Sequence, residues 1–158
     1  MASLSLPLPA VSRSLLVTAV LAGIAADLAW EAWARGVTPF LVGGPLEPAA
    51  LVQSVFGFDN RLLAELIHLV VGVLFYPLGY LFIARPIAGA LFPWMPWWLV
   101  AAGFGVGLWV FALYIMAHVF AGLPPFLGFI PLAWASLAGH VLFGLVVGAV
   151  VRRREASA

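Results

Sequence analysis

Six residues of this 158-residue chain carry the side chains that could do chemistry: Asp27, Glu31, Glu65, His68, His118 and His140. All six sit inside long apolar stretches, where a charged side chain costs several kcal/mol on most scales, so each is a candidate functional group. Glu65-Leu66-Ile67-His68 reads as E-x-x-H. On a helix that spacing puts carboxylate and imidazole on one face, as in carboxylate-bridged di-iron bundles. Those sites use the motif twice with two further glutamates, whereas here it occurs once. Three histidines with nearby carboxylates suit zinc, copper or iron. The subset that could share a transition metal is Glu31, Glu65 and His68 with His118, and Asp27 and Tyr114 would support it. A b-type haem would instead need two facing imidazoles, for which His68 and His140 are the pair. Two other readings stand beside these. The residues could satisfy one another between helices, Asp27 with His68 and Glu65 with His118, as polar side chains in membrane bundles do. They could also floor a quinone- or lipid-headgroup pocket, with Gly139 and Gly144 leaving room beside His140 for a flat ligand.

The elements that must position these residues are legible from hydropathy. Hydrophobic residues make up 65% of the chain and charged residues 8%, with a mean hydropathy of +1.16. Such a chain has too few polar residues to cover a water-facing surface. Four apolar runs, at 15–34, 62–84, 97–120 and 131–151, each reach the roughly 20 residues that cross the hydrocarbon core as helix. They are continuously apolar, unlike the alternating strands of a membrane barrel. The expected fold is a single all-α membrane domain, a bundle of four transmembrane helices. The start resembles a signal peptide, with Arg13 before an apolar run and small residues at Gly23-Ile24-Ala25. The run continues to Ala34, so it reads as the first span. In the first outer loop, 35–61, Glu47-Pro48 is a helix start with Pro at the first position. Leu51, Val52, Val55 and Phe56 then share one face, giving a short interfacial helix over the outer mouth.

Cysteine and lysine are both absent. Disulfides, thiolate metal sites and palmitoylation are thereby excluded, and no basic, aromatic-interleaved patch points to nucleic acid. Arg13, Arg85, Arg152, Arg153 and Arg154 fall on one side of the four-span arrangement, Arg35 and Arg61 on the other. That bias places both termini in the cytoplasm. Trp94, Trp97 and Trp98 are expected at the inner interface, and Trp30, Trp33 and Trp134 at the outer one.

Small and polar residues recur at helical spacing on every span: Gly23, Asp27 and Glu31; Glu65, His68, Gly72, Tyr76 and Gly79; Gly103, Gly107, Phe111, Tyr114 and His118; Ser136, His140, Gly144 and Gly148. Each stripe is expected to face inward, because small residues allow close helix approach. From the outer ends, Glu31, Glu65 and His118 lie roughly 3–5 Å deep, Asp27 and His68 about 10 Å, and His140 about 14 Å on the helical rise. No charged or histidine side chain lies in the inner half, which argues against a transport route across the membrane.

Asp27-x-x-Trp30-Glu31, His68, Leu123-Pro124-Pro125 and the run from Pro131 to His140 resemble small uncharacterised bacterial four-helix membrane proteins. Some of those look like companions of respiratory oxidases. The resemblance implies a bacterial inner-membrane accessory or assembly subunit of a larger respiratory-type complex, partnered by lipid and by other membrane subunits or a second copy. Abundant tryptophan is also similar to the tryptophan-rich sensory proteins, but their fifth span and Trp-Pro-Pro loop motif are missing here. A metal- or haem-binding redox protein, its site open to the periplasm, is the contrasting expectation. Topology is directly measurable: reporter fusions at Gly44 and Ala158 are expected to read periplasmic and cytoplasmic respectively, and the opposite result overturns the orientation.

Overall fold

The computed structural model describes residues 8–157, so the terminal residues Met1 and Ala158, to which the topology expectation refers, lie outside them. Five helices carry the described chain: α1 (Arg13–Val42), α2 (Pro48–Phe56), α3 (Arg61–Leu91), α4 (Trp97–Phe120) and α5 (Pro131–Ala156). All but α2 are long and apolar enough to cross a membrane. Local chemistry sets their starts. Ser12 Oγ accepts from the Leu15 amide at 3.1 Å and Asn60 Oδ1 from the Leu63 amide at 3.0 Å, each such cap contributing about 1 kcal/mol. Pro48 and Pro131 occupy first helical positions, where a missing N–H leaves nothing unsatisfied.

Two helices outrun the expected spans. The first extends past Ala34 to Val42, because Arg35 pairs with Glu31 one turn back instead of ending the helix. A widened π-type stretch, Ala32–Val37, carries the chain onward, and the helix stops at Gly43, whose φ of 80° is the left-handed conformation glycine adopts freely. The second runs to Leu91. Pro77 cannot donate a helical hydrogen bond, and widened stretches at Val71–Phe75 and Tyr80–Ala84 flank it.

The spans are arranged in the order α3, α1, α5, α4. Helices α1 and α4 both pack along α5, α3 packs on α1, and α3 meets α4 through its inner half. Glycines set these seams. A Cβ at Gly105 of α4 would collide with the backbone of His140 and Val141, one at Gly144 of α5 with the Ala101 carbonyl, and one at Gly23 of α1 with Val73. At the inner end the Arg85 guanidinium grips both Glu155 carboxylate oxygens at 2.6 and 3.2 Å, and Arg152 lies 5.7 Å over the Trp97 ring.

The expected inward stripe of the third span is corrected. Gly103 and Gly107 face open space, with nothing within 4 Å of a built Cβ, and Phe111 and Tyr114 are exposed. Ala101, Gly105, Leu108, Leu113 and Ala117 are the buried face instead. The span is apolar all round, so glycine spacing alone could not say which side finds a neighbour.

The outer halves of α3 and α4 stand apart. The loop helix α2 bridges them, touching α3 on one side and the outer part of α4 on the other. A short turn, Pro125–Phe129, closes the far rim. Phe126 and Leu127 there adopt left-handed φ values of 49° and 53°, with Phe126 stacked on Trp109 at 4.7 Å.

The two glycine registers of α4 are separable by mutation. Gly105→Val is expected to destabilise the detergent-solubilised protein by about 1–3 kcal/mol through overpacking, while Gly107→Val leaves the thermal midpoint unchanged. Equal effects would return Gly107 to the packing face.

Candidate functional site

Between the outer halves of α3 and α4, under α2, lies a cavity of about 650 Å³. Its walls are mostly apolar, drawn from Leu51 and Val52 of α2, Val71 and Phe75 of α3, and Leu113 and Met116 of α4, with the polar Glu47 and Ser54 also in the lining. Its floor is different: Trp30, His68, Tyr76, Ser136 and His140 come from three separate spans. Trp30, His68, Tyr76 and His140 continue into a smaller chamber of about 20 Å³, completed by Asp27, Gly72 and Phe143. That volume holds about one water-sized group.

Helical spacing brings these groups together. Asp27 and Trp30 are neighbours on one face of α1, and Asp27 lies against Gly72, where a Cβ would stand 2.9 Å from its Oδ1. On α5, Ser136 and His140 are one turn apart. His140 Nδ1 is 2.8 Å from the Ser136 carbonyl oxygen. A carbonyl oxygen only accepts, so Nδ1 carries the proton, and a neutral imidazole held this way has its lone pair on Nε2.

Trp30 was expected in the outer interfacial belt and is instead interior, 5% exposed. Its ring stands edge-on to His140 with centroids 4.6 Å apart and lies 6.3 Å from His68. The buried Gly139 makes room for it: a Cβ there would press on the benzo edge of Trp30 and on Trp33. Trp33 Nε1 donates to the Ala135 carbonyl at 2.9 Å and Trp109 Nε1 to the Ala133 carbonyl at 3.0 Å. Trp30 Nε1 has no partner among the described residues and is sealed from the surface. The sequence signal for an interior Trp30 was its place on the Gly23–Asp27 face, with small residues opposite on the fourth span.

The six candidate residues divide into three places. Asp27, His68 and His140 share the chamber. Glu31 and Glu65 belong to an ionic ladder at the outer mouth. Arg35 bonds Glu31 and reaches Glu65 at 3.7 Å, while Arg61 bonds Glu47 at 2.8 Å and reaches Glu65 at 3.6 Å. The ladder ties the start of α2 to α1 and α3. His118 stands apart, its Nδ1 2.7 Å from the Leu123 carbonyl oxygen and its ring 5.4 Å from that of Tyr114.

The expected metal set of Glu31, Glu65, His68 and His118 is thus divided among all three places. Among the described residues no three His, Asp or Glu side chains converge as a metal-binding group. The expected hydrogen-bonded pair Glu65–His118 is likewise replaced by Glu65 with Arg35 and Arg61. Asp27 and His68 are brought together in the chamber without a hydrogen bond between them. For haem, the Trp30 ring stands against both His68 and His140 and occupies space beside the two imidazoles.

Comparison with protein-family models, curated proteins and solved structures yields no match. The ladder is half-exposed, and such pairs contribute roughly 0–1 kcal/mol. Glu65→Gln is therefore expected to lower stability by less than about 1 kcal/mol, and His118→Asn, which removes one exposed hydrogen bond to the Leu123 carbonyl, by about 1 kcal/mol; both are expected to leave the metal content of the purified protein unaltered. Loss of bound metal in either variant would restore the quartet.

Proposed function

We propose that this chain is a small multi-pass protein of a bacterial inner membrane, with both termini cytoplasmic. In the cavity under α2 it binds an apolar molecule with a polar head, of quinone or lipid type. It does so as an accessory subunit of a larger respiratory-type complex. The observation that carries the binding role is the cavity itself, with mostly apolar walls and a floor of imidazole, indole, phenol and hydroxyl groups. Ligand sites have this character, a mostly apolar enclosure with few convergent polar groups. The accessory role is supported by the short connections between the described helices, none of which is long enough to form a soluble catalytic module. Five inner-side against two outer-side arginines support the orientation.

A second reading, a metal- or haem-binding redox role, has one observation in its favour. The tie from His140 Nδ1 to the Ser136 carbonyl is the arrangement that orients a ligating imidazole and leaves Nε2 to bind. His68 would be its partner.

One experiment tests both. Protein purified from its native membrane is analysed by native mass spectrometry and elemental analysis, beside Ala117→Trp, which fills the cavity from α4. The expected result is a co-purifying apolar small molecule in the natural protein, at least tenfold depleted in the variant, with no stoichiometric metal. An empty natural protein sinks the binding role, and haem absorbance or bound metal removed by His140→Asn moves the assignment to the redox reading. Membrane subunits that co-purify without crosslinker identify the complex, and their absence rejects the accessory role.

A further inference from the structure

The large cavity has a side without a helix. With the spans in the order α3, α1, α5, α4, helices α1 and α5 back the cavity and α3 and α4 flank it. Toward the inner side α3 and α4 close on each other, with the Tyr80 and Phe104 rings 5.4 Å apart. Above that contact their outer halves separate, and among the described residues no hydrogen bond or ion pair ties one to the other. Phe75 of α3 and Phe111 of α4 both line the cavity, yet they are 63% and 42% exposed, more than side chains turned wholly inward would be. They edge a slit between the two helices. On the helical rise they lie roughly 14–20 Å below the outer ends of their spans, near the middle of a hydrocarbon core about 30 Å thick. Both flanks are also widened: Val71–Phe75 and Phe111–Phe120 are π-type stretches, which recur at functional sites.

The outer mouth, by contrast, is fastened. Arg61 bonds Glu47 at 2.8 Å, the Leu46 amide donates to the Ala34 carbonyl at 3.3 Å, and Leu46 and Ala49 are buried. Lifting α2 breaks these ties, whereas widening the slit asks for rotation of two phenyl side chains. Volume then selects what passes. About 650 Å³ holds about twenty water-sized groups. A partner's helix crossing one leaflet, roughly 10 Å wide and 15 Å long, needs on the order of 1,200 Å³, which the cavity does not offer. A flexible chain fits, and beside a ring-sized head there is room for about ten of its carbons. We infer that the slit is a lateral door to the outer leaflet, for a ligand with one long apolar chain. The head seats in the cavity, and the rest of the chain leaves between Phe75 and Phe111 into the bilayer. The inference rests on the cavity-binding role proposed above and adds the ligand's shape and its route.

The test is made on the full chain in vesicles of phosphatidylethanolamine and phosphatidylglycerol. The probe is a benzoquinone on a twenty-carbon prenyl chain with a diazirine near the tenth carbon, and a ten-carbon analogue reports binding alone. Photolabelling of the wild type is expected to fall at least fivefold more on Phe75 and Phe111 than on Pro45 and Leu123 at the mouth. The reverse pattern, or label at neither place while the analogue binds, overturns the door and leaves the cavity role standing. If neither quinone binds, both fall. Uptake is the second readout. The chain has no cysteine, so Phe75→Cys with Phe111→Cys is bridged by a thiol-specific cross-linker before the probe is added. Bridging is expected to slow uptake at least tenfold relative to the same variant capped with a monofunctional maleimide. Arg61→Gln, which unties α2, is expected to change uptake less than twofold; tenfold acceleration assigns entry to the mouth and overturns the door. Protection of both thiols by a co-purifying subunit makes the slit a protein interface and overturns it as well. The labelling needs no variant, so misfolding of the double-cysteine chain leaves the inference open to refutation.

Discussion

Backbone-to-backbone approach at α5 governs the rest of the molecule. Gly144 and Gly148 on α5, with Gly105 on α4, leave no room for a Cβ, and the backbones of α4 and α5 consequently lie in contact. Lipid tails are as apolar as leucine, so helices in a membrane gain little by hiding apolar surface from one another. Close packing and interhelical hydrogen bonds supply the association instead. Helix α5 is accordingly the most buried of the four candidate spans, and α1 and α4 take its two flanks. The α3 helix is left with α1 as its main neighbour. Its outer half reaches no partner on the side of α4, and the cavity is that missing contact.

The polar groups follow from the same geometry. Those that flank the gap, on α1, α3 and α5, have no opposing helix to satisfy them, so Trp30, His68 and His140 converge on a shared space. Those at the outer mouth find arginines, and the resulting ladder fastens α2 across the opening. Two kinds of polar site thus arise about one helical turn apart. One is ionic, half-exposed and of small energetic weight. The other is enclosed and left with hydrogen-bonding capacity to spare. In low dielectric that spare capacity has the greater consequence, because an unpaired group there cannot turn to water.

Much of the fold was legible in the amino-acid order, since its causes are local. Continuous apolar runs specified four long helices, Pro48 and Pro131 marked helix starts, and the Glu47-Pro48 step announced the loop helix that the structure contains. Spacing also put Asp27, His68 and His140 on packing faces, and these three do share a chamber. Here the sequence was informative because small residues marked the same stripe: Gly23 on α1, Gly72 on α3, Gly144 and Gly148 on α5.

Tertiary structure decided what periodicity could not. On α4 two glycine registers competed, and Gly105 won over Gly103 and Gly107 because the backbone of His140 lies against it. In a helix that is apolar all round, hydropathy does not distinguish lipid from neighbour. Trp30 reads as an interfacial anchor by type and position, yet the absent side chain at Gly139 admits it to the interior. Glu31, Glu65 and His118 are of similar depth in sequence, with His68 about one helical turn deeper, but depth fixes one coordinate only. Rotation about each helix axis and the order of helices around the bundle supply the others, and both are set by contacts between residues far apart in the chain.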